Sequence, residues 1–301
     1  MNISDDIKYQ FRHGNAIMKI LLVNVLIFAA QSIIFLIAYF GGFKEEYVVF
    51  LSKWFWVSTD LNVLITKPWT LFTAMLMHDP EDIFHILSNM LYLFFFGRIF
   101  IDFISQKNSW PLFLLGGLAG TVVAIATYNL APSLKPLVGI PMVGASAGVM
   151  AIVLGAATLA PNYSVNIIFI GPVRLKYIAL LVVVIDLLSI PSEYNLGGHV
   201  AHLGGALTGY LFIRSYQSEH PWFEWWPKFE NSIFRLFEKK KPKIVYVNSN
   251  PSPKKTTMGR DEKHIDDQAK TDAILDKIKV GGYDSLSKAE KDFLFKISNK
   301  K

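Results

Sequence analysis

The 301-residue chain has no cysteine, which excludes thiol nucleophiles, disulfides and cysteine-ligated metals. Charge is sparse: 18% of residues are charged against 52% hydrophobic and 14% aromatic. That composition suits a polytopic membrane protein rather than a soluble domain. No Walker or dinucleotide-binding fingerprint and no fixed-period repeat occurs, so nothing points to nucleotide chemistry or a solenoid. The formal charge of +6 is local, because residues 216–301 supply +5 of it. The basic run Lys239–Lys241 is short and lies next to the membrane segments, which makes it a lipid-surface contact rather than a nucleic-acid site.

Apolar runs, by contrast, are plentiful. Six segments have the length and apolarity expected of spans: 17–40, 84–104, 110–130, 143–160, 172–190 and 197–215. Lipid offers the backbone no hydrogen-bond partner, so each is expected to be helical, giving an all-α polytopic fold. The first run is too long for a signal-peptide core and no small-residue cleavage site follows it, so it is expected to be retained. Lys8, Arg12, Lys19, Arg98, Lys107, Arg174, Lys176 and Arg214 flank the spans on one side, while the other side mixes lysines with acidic residues. Both termini are therefore expected in the cytoplasm.

Four regions follow. Residues 1–16 form a cytoplasmic N-terminal segment and 17–215 a six-helix core. Residues 216–267 form a juxtamembrane segment and flexible linker, with Trp222, Trp225 and Trp226 at the interface. Residues 268–301 form a small two-helix element, broken at Gly281–Gly282, with a helix start expected around Ser285. Within the core, the long first loop at 41–83 carries Trp54, Phe55, Trp56, Pro68 and Trp69, which suits a structure lying at the headgroups.

Three motifs carry potential chemistry. GASAG (Gly144–Gly148) puts Ser146 near the start of the fourth span, and AHLGG (Ala201–Gly205) puts His202 near the start of the sixth. His85 and Asn89, four apart on one helical face, lie near the start of the second. With both termini inside, all four side chains enter from the outer side at similar depth. A serine needs a base to become a nucleophile. Attack on an amide then needs donors for the oxyanion, for which His85, Asn89 and the free N–H of Ser146 at a helix start are candidates. Gly205 and Gly209 form a G-x-x-x-G pair that admits a neighbouring backbone, and Gly144 joins the small residues of the fourth span. Taken singly, each motif also fits plain packing; it is their order and shared depth that favour chemistry. His199 is a rival base nearer the surface. Asp186 reads as a snorkelling or packing carboxylate, with a third triad member as the alternative. Asn24 and Gln31 are expected to bond to a neighbouring helix.

The ordered set HILSNM (His85–Met90), GASAG and AHLGGALTG (Ala201–Gly209) resembles the rhomboid intramembrane serine proteases of bacterial type, over about residues 17–215. The resemblance implies a six-transmembrane-helix bundle in the bacterial inner membrane with a long first extracytoplasmic loop. It implies Ser146 as nucleophile, His202 as base in a dyad without aspartate, and His85 and Asn89 in the oxyanion hole. Gly205 and Gly209 would seat the sixth helix on the fourth. The substrates would be transmembrane proteins cut in or near their spans, with membrane lipids as the other partners and no metal, cofactor or nucleic acid needed. Three positions depart from the family pattern: Thr70 follows Trp69 where arginine is common, Ala147 follows the serine, and Met150 replaces a tyrosine. His78 is similar to a family histidine that bonds near the site. Two other readings are a catalytically inactive relative that binds transmembrane clients and a small-solute transporter. Against the first, both Ser146 and His202 are present; against the second, paired charges and an inverted repeat are lacking.

Overall fold

The computed structural model describes residues 3–192, 195–218 and 261–298. Of the expected juxtamembrane segment and linker at 216–267, residues 219–260 with the three tryptophans lie outside the described residues, and 261–267 belong to the helix Asp261–Gly281 rather than to a linker. The chain divides into two compact units, within residues 1–238 and 239–301.

The first unit is mostly helical. After α1 (Ile3–His13), Asn15 caps α2 (Ala16–Gly41), its side chain accepting from the Met18 N–H, and Gly42 ends that helix at φ +77°. The first loop folds into α3 (Lys44–Trp54), the short strand β1 (Val57–Ser58), α4 (Leu61–Thr66) and α5 (Thr70–Thr73). Asp82 caps α6 (Ile83–Phe103), accepting from the His85 N–H at 3.0 Å. Then come α7 (Ser109–Leu130), β2 (Pro141–Met142), α8 (Ser146–Leu159), the hairpin β3 (Ser164–Ile167) and β4 (Gly171–Arg174), α9 (Leu175–Ser189) and α10 (Leu196–Tyr216).

Among the described residues, three helices are long and apolar enough to cross a membrane: Ala16–Gly41, Ile83–Phe103 and Gln106–Leu130. The helix α8 is apolar but has 14 residues, about 21 Å at 1.5 Å per residue. The expected fourth span is shorter at its start because residues 141–145 are extended or turn, and Pro141–Met142 pair with the first loop instead. The expected fifth span loses its start to the hairpin, paired from Ser164↔Arg174 to Ile167↔Gly171 around Phe169 at φ +71°. Apolar side chains also crowd the exterior; Phe40 is 84% exposed and Ile33, Ile34 and Ile37 lie beside it on α2. A belt of that kind is stable against acyl chains and not against water.

Inside, Phe100, Phe113, Phe212, Leu93 and Leu112 are buried between the helices. Small residues set the spacing. A side chain on Gly205 would collide with the Ala147 carbonyl oxygen, and one on Gly209 with that of Ala151, so α10 lies directly against the backbone of α8. Gly148 faces the Phe113 carbonyl of α7 at 2.6 Å from where its Cβ would be. The polar residues of α2 differ from expectation: Asn24 donates to the Ile20 carbonyl of its own helix at 2.9 Å, and Gln31 donates to the His78 carbonyl in the first loop, not to a helix.

The second unit holds the helices Asp261–Gly281 and Lys288–Ser298. The start of the latter lies one turn element beyond Ser285. Ser287 and Glu290 form the capping box, with the Ser287 N–H donating to the Glu290 carboxylate at 2.7 Å, and Lys277 reaches Glu290 at 2.9 Å.

Gly205→Val is expected to destabilise the first unit by at least ~1–3 kcal/mol, since backbone on α8 cannot yield as a flexible side chain would. Thermal unfolding in detergent, against Leu207→Val on an exposed position of the same helix, checks this.

Candidate active site

The site forms where α6, α8 and α10 begin. Strand β2 pairs antiparallel with β1, Val57 opposite Met142, and the Gly144 N–H donates to the Ala74 carbonyl at 2.9 Å. The first loop thus grips the chain immediately before Ser146. Gly144 has φ +132°, and a Cβ there would lie 2.7 Å from the His85 ring. Expected as a helix-packing residue, Gly144 instead sits ahead of the helix and leaves room for His85.

Ser146 is the first residue of α8, with no side-chain cap from Ala145. The helical ladder begins only with the Val149 N–H donating to the Ala145 carbonyl at 3.0 Å, so the N–H groups of Ser146, Ala147 and Gly148 are free of intrahelical bonds. His85, Ser88, Gly144, Ser146 and Ala147 line a cavity of about 650 Å³ that continues past Trp56, Met142 and Leu196. Neither Asn89 nor His202 lines it. Asn89 is buried behind His85, where its Nδ2 donates to His78 Nε2 at 3.0 Å. His78 is fully buried and packs edge-on to His85, ring centroids 5.2 Å apart.

His202 approaches from α10. The chain neighbours of Ser146 and His202 meet at Gly120 of α7: a Cβ there would lie 2.7 Å from Ala147 Cβ and against the Ala201 carbonyl. His202 Nδ1 is 2.9 Å from Asp186 Oδ1. Its Nε2 is buried without a hydrogen-bond partner among the described residues. The Ser146–His202 bond that nucleophile activation needs is therefore not formed here; such bonds commonly tighten only with substrate.

Asp186 is where the sequence reading changes. Neither snorkelling nor merely packed, it is 6% exposed and bonds through the same oxygen to His202 and, at 2.8 Å, to His199. The signal was legible in part, because a carboxylate inside an apolar helix is a functional hypothesis with a partner to be named. The partner, on the next helix, was not. Thr70, at the position where arginine is common, is buried and donates to the Lys67 carbonyl at 2.7 Å. Trp69 bonds to the Trp54 carbonyl at 2.9 Å.

The family model described as Rhomboid domain matches residues 66–217. The chain belongs to the rhomboid family. That match takes in every side chain of the site, from His78 to His202. Among related rhomboid proteins, RHOMBOID-like protein 12, mitochondrial, of Arabidopsis thaliana is 32% identical over 167 residues, which are 52% of this chain and 48% of the relative. Presenilin-associated rhomboid-like protein A, mitochondrial, of Danio rerio is 25% identical over 161 residues, 50% of this chain and 40% of the relative. The human presenilin-associated rhomboid-like protein, mitochondrial, is 26% identical over 147 residues, 47% and 36% respectively. The chain thus matches less than half the length of these curated relatives.

Burial, with His85 adding to it, holds the His78 pKa down at about 3 against an ordinary 6.5. The unfolded chain takes up this proton near its ordinary value, whereas the folded chain refuses it until much lower pH. Stability is therefore full above the unfolded pKa and drains as pH falls from 6.5 towards 3. His78→Gln keeps an acceptor for Asn89 without the titration. Its thermal midpoint is expected to fall less than that of the wild type between about pH 7 and pH 4.

Proposed function

We propose that the protein is an intramembrane serine endopeptidase that hydrolyses peptide bonds in or near the transmembrane segments of membrane-protein substrates. The rhomboid family is one of intramembrane serine proteases, and the six expected spans take α2, α6, α7, α8, α9 and α10 as the bundle. The arrangement of lysine and arginine supports cytoplasmic termini, with the cavity opening on the outer side; the bacterial inner membrane rests on the resemblance to bacterial-type rhomboids alone, the related proteins above being mitochondrial. The observation that carries the reading is the buried, unpartnered Nε2 of His202, next to the contact that joins Ala201, Gly120 and Ala147.

Asp186 accepts the Nδ1 proton of His202, which leaves the lone pair on Nε2, the atom a base must offer. Substrate brings Ser146 Oγ to it. The hydroxyl gives its proton to Nε2 as Oγ attacks the scissile carbonyl carbon. The oxyanion meets the Ser146 N–H and His85, while Asn89, one amide N–H held by His78 behind the cavity lining, offers its second N–H from the same helix face as substrate enters. His202 then passes the proton to the leaving amine, and water, activated in its turn by His202, releases the acyl group from Ser146. A cavity of about 650 Å³ holds a few residues of extended peptide and not an intact helix, so the substrate segment must unwind before it is cut.

Ser146→Ala and His202→Ala are each expected to lower cleavage of a membrane-anchored reporter by about 10⁴-fold or more at unchanged expression. Asp186→Asn cannot accept the Nδ1 proton as a charged carboxylate does, and is expected to lower kcat by about 100-fold or more with little change in KM. Wild-type cleavage by the Ser146→Ala protein would reject the reading.

A further inference from the structure

Asp186, His199 and His202 bring two imidazole nitrogens and a carboxylate oxygen within 4.8 Å of one another, and both Nδ1 atoms meet the same carboxylate oxygen. The two histidines are three apart on α10 and share a face; Asp186 reaches them from α9. The carboxylate is 6% exposed and the histidine side chains 20% and 19%, so the cluster is enclosed among the helices without being sealed. His199, in the first turn of α10, is the member nearest the helix end.

We propose that these three residues bind a zinc ion, and that the ion switches the protease off. The proposal rests on His202 being the base. Two imidazoles and one carboxylate with an open fourth position are a common zinc ligand set, whereas magnesium and calcium favour oxygen donors throughout. Geometry asks for little movement. The Nδ1 atoms now lie 2.8 and 2.9 Å from Asp186 Oδ1. Ligand atoms about 2.0–2.1 Å from a tetrahedral ion stand roughly 3.4 Å apart, so each Nδ1–Oδ1 pair opens by about half an ångström.

Inhibition follows from the tautomer. A neutral imidazole carries one N–H. In the resting enzyme that proton sits on Nδ1, bonded to Asp186, and Nε2 is free to accept. Zinc needs the Nδ1 lone pair, so the proton moves to Nε2, with no net release. A protonated Nε2 cannot take the proton of Ser146. The ion therefore removes the base without touching the cavity, and it lowers kcat rather than raising KM. His199 becomes the residue that makes the site bidentate on α10, a role separate from catalysis.

The test uses the purified full chain in detergent with zinc for activity and cobalt(II) as a spectroscopic stand-in. Wild type is expected to bind one cobalt ion with the visible absorption of a four-coordinate site, and to lose cleavage over the concentration range in which zinc displaces the cobalt. In His199→Ala both the half-binding and the half-inhibiting concentrations are expected to rise by at least about tenfold, each rate being referred to the same variant without metal. Absence of binding, or equal binding by wild type and His199→Ala, overturns the site and leaves the protease reading intact. One ion bound with cleavage undiminished overturns the switch. The protease reading fails separately, if His202→Ala cleaves at the wild-type rate in metal-free buffer.

Discussion

Two glycines on α10 rest directly on carbonyl oxygens of α8, Gly205 on Ala147 and Gly209 on Ala151, and most of the site follows from that contact. In lipid no hydrophobic force draws helices together, so close backbone approach through small residues has to do it. Because α8 begins at Ser146, seating Gly205 on Ala147 fixes the depth of His202, one turn earlier on α10, at the level of the serine. Gly120 of α7 receives both Ala147 and Ala201 and closes the arrangement from a third side. On the proposed reading, packing and chemistry are thus not competing readings of the glycines; close packing is what brings the imidazole of one helix to the hydroxyl of another.

The first loop is the second constraint. Its strand β1 holds Pro141–Met142, and its Ala74 carbonyl holds the Gly144 N–H at 2.9 Å. Gln31 of α2 in turn bonds to the His78 carbonyl, His78 to Asn89, and His85 occupies the room that Gly144 leaves. The chain before Ser146 is therefore set by elements far away in sequence, β1 and Ala74 holding it through backbone groups that substitution does not remove. Thr70 fits this scheme, because it is buried against its own turn and the loop is tied down without a charged side chain there.

How much of this was legible in the sequence depends on the range of the interaction. The helices were, because apolar length in a nearly uncharged stretch leaves the backbone no other choice. So were the positions of Ser146, His202, His85 and Asn89 in the first two turns of their helices, since helix starts and a period of 3.6 set them by local geometry. The two-strand pairing of Val57 with Met142 was not: two residues per strand carry no alternation, and their partner lies 85 positions away. Asp186 was visible as an odd carboxylate, but its bond to His202 depends on how α9 rotates against α10, which no periodicity encodes. The hairpin at 164–174 was hidden inside an apolar run whose residues suit a strand as well as a helix. Gly144 was misread for the same reason, since its use lies in a backbone angle and not in its size within a helix.

On the proposed reading, a membrane setting makes the placement of Ser146 and His202 consequential, because water must reach Ser146 while lipid must not. Reaction with a serine-directed fluorophosphonate reports on that directly, as it needs a nucleophile, an activating base and access together. The expected result on the intact protein in detergent is a single adduct, located on Ser146 by mass spectrometry, absent in Ser146→Ala and strongly reduced in His202→Ala. An adduct on a different serine, or undiminished labelling of the Ser146→Ala protein, would contradict it.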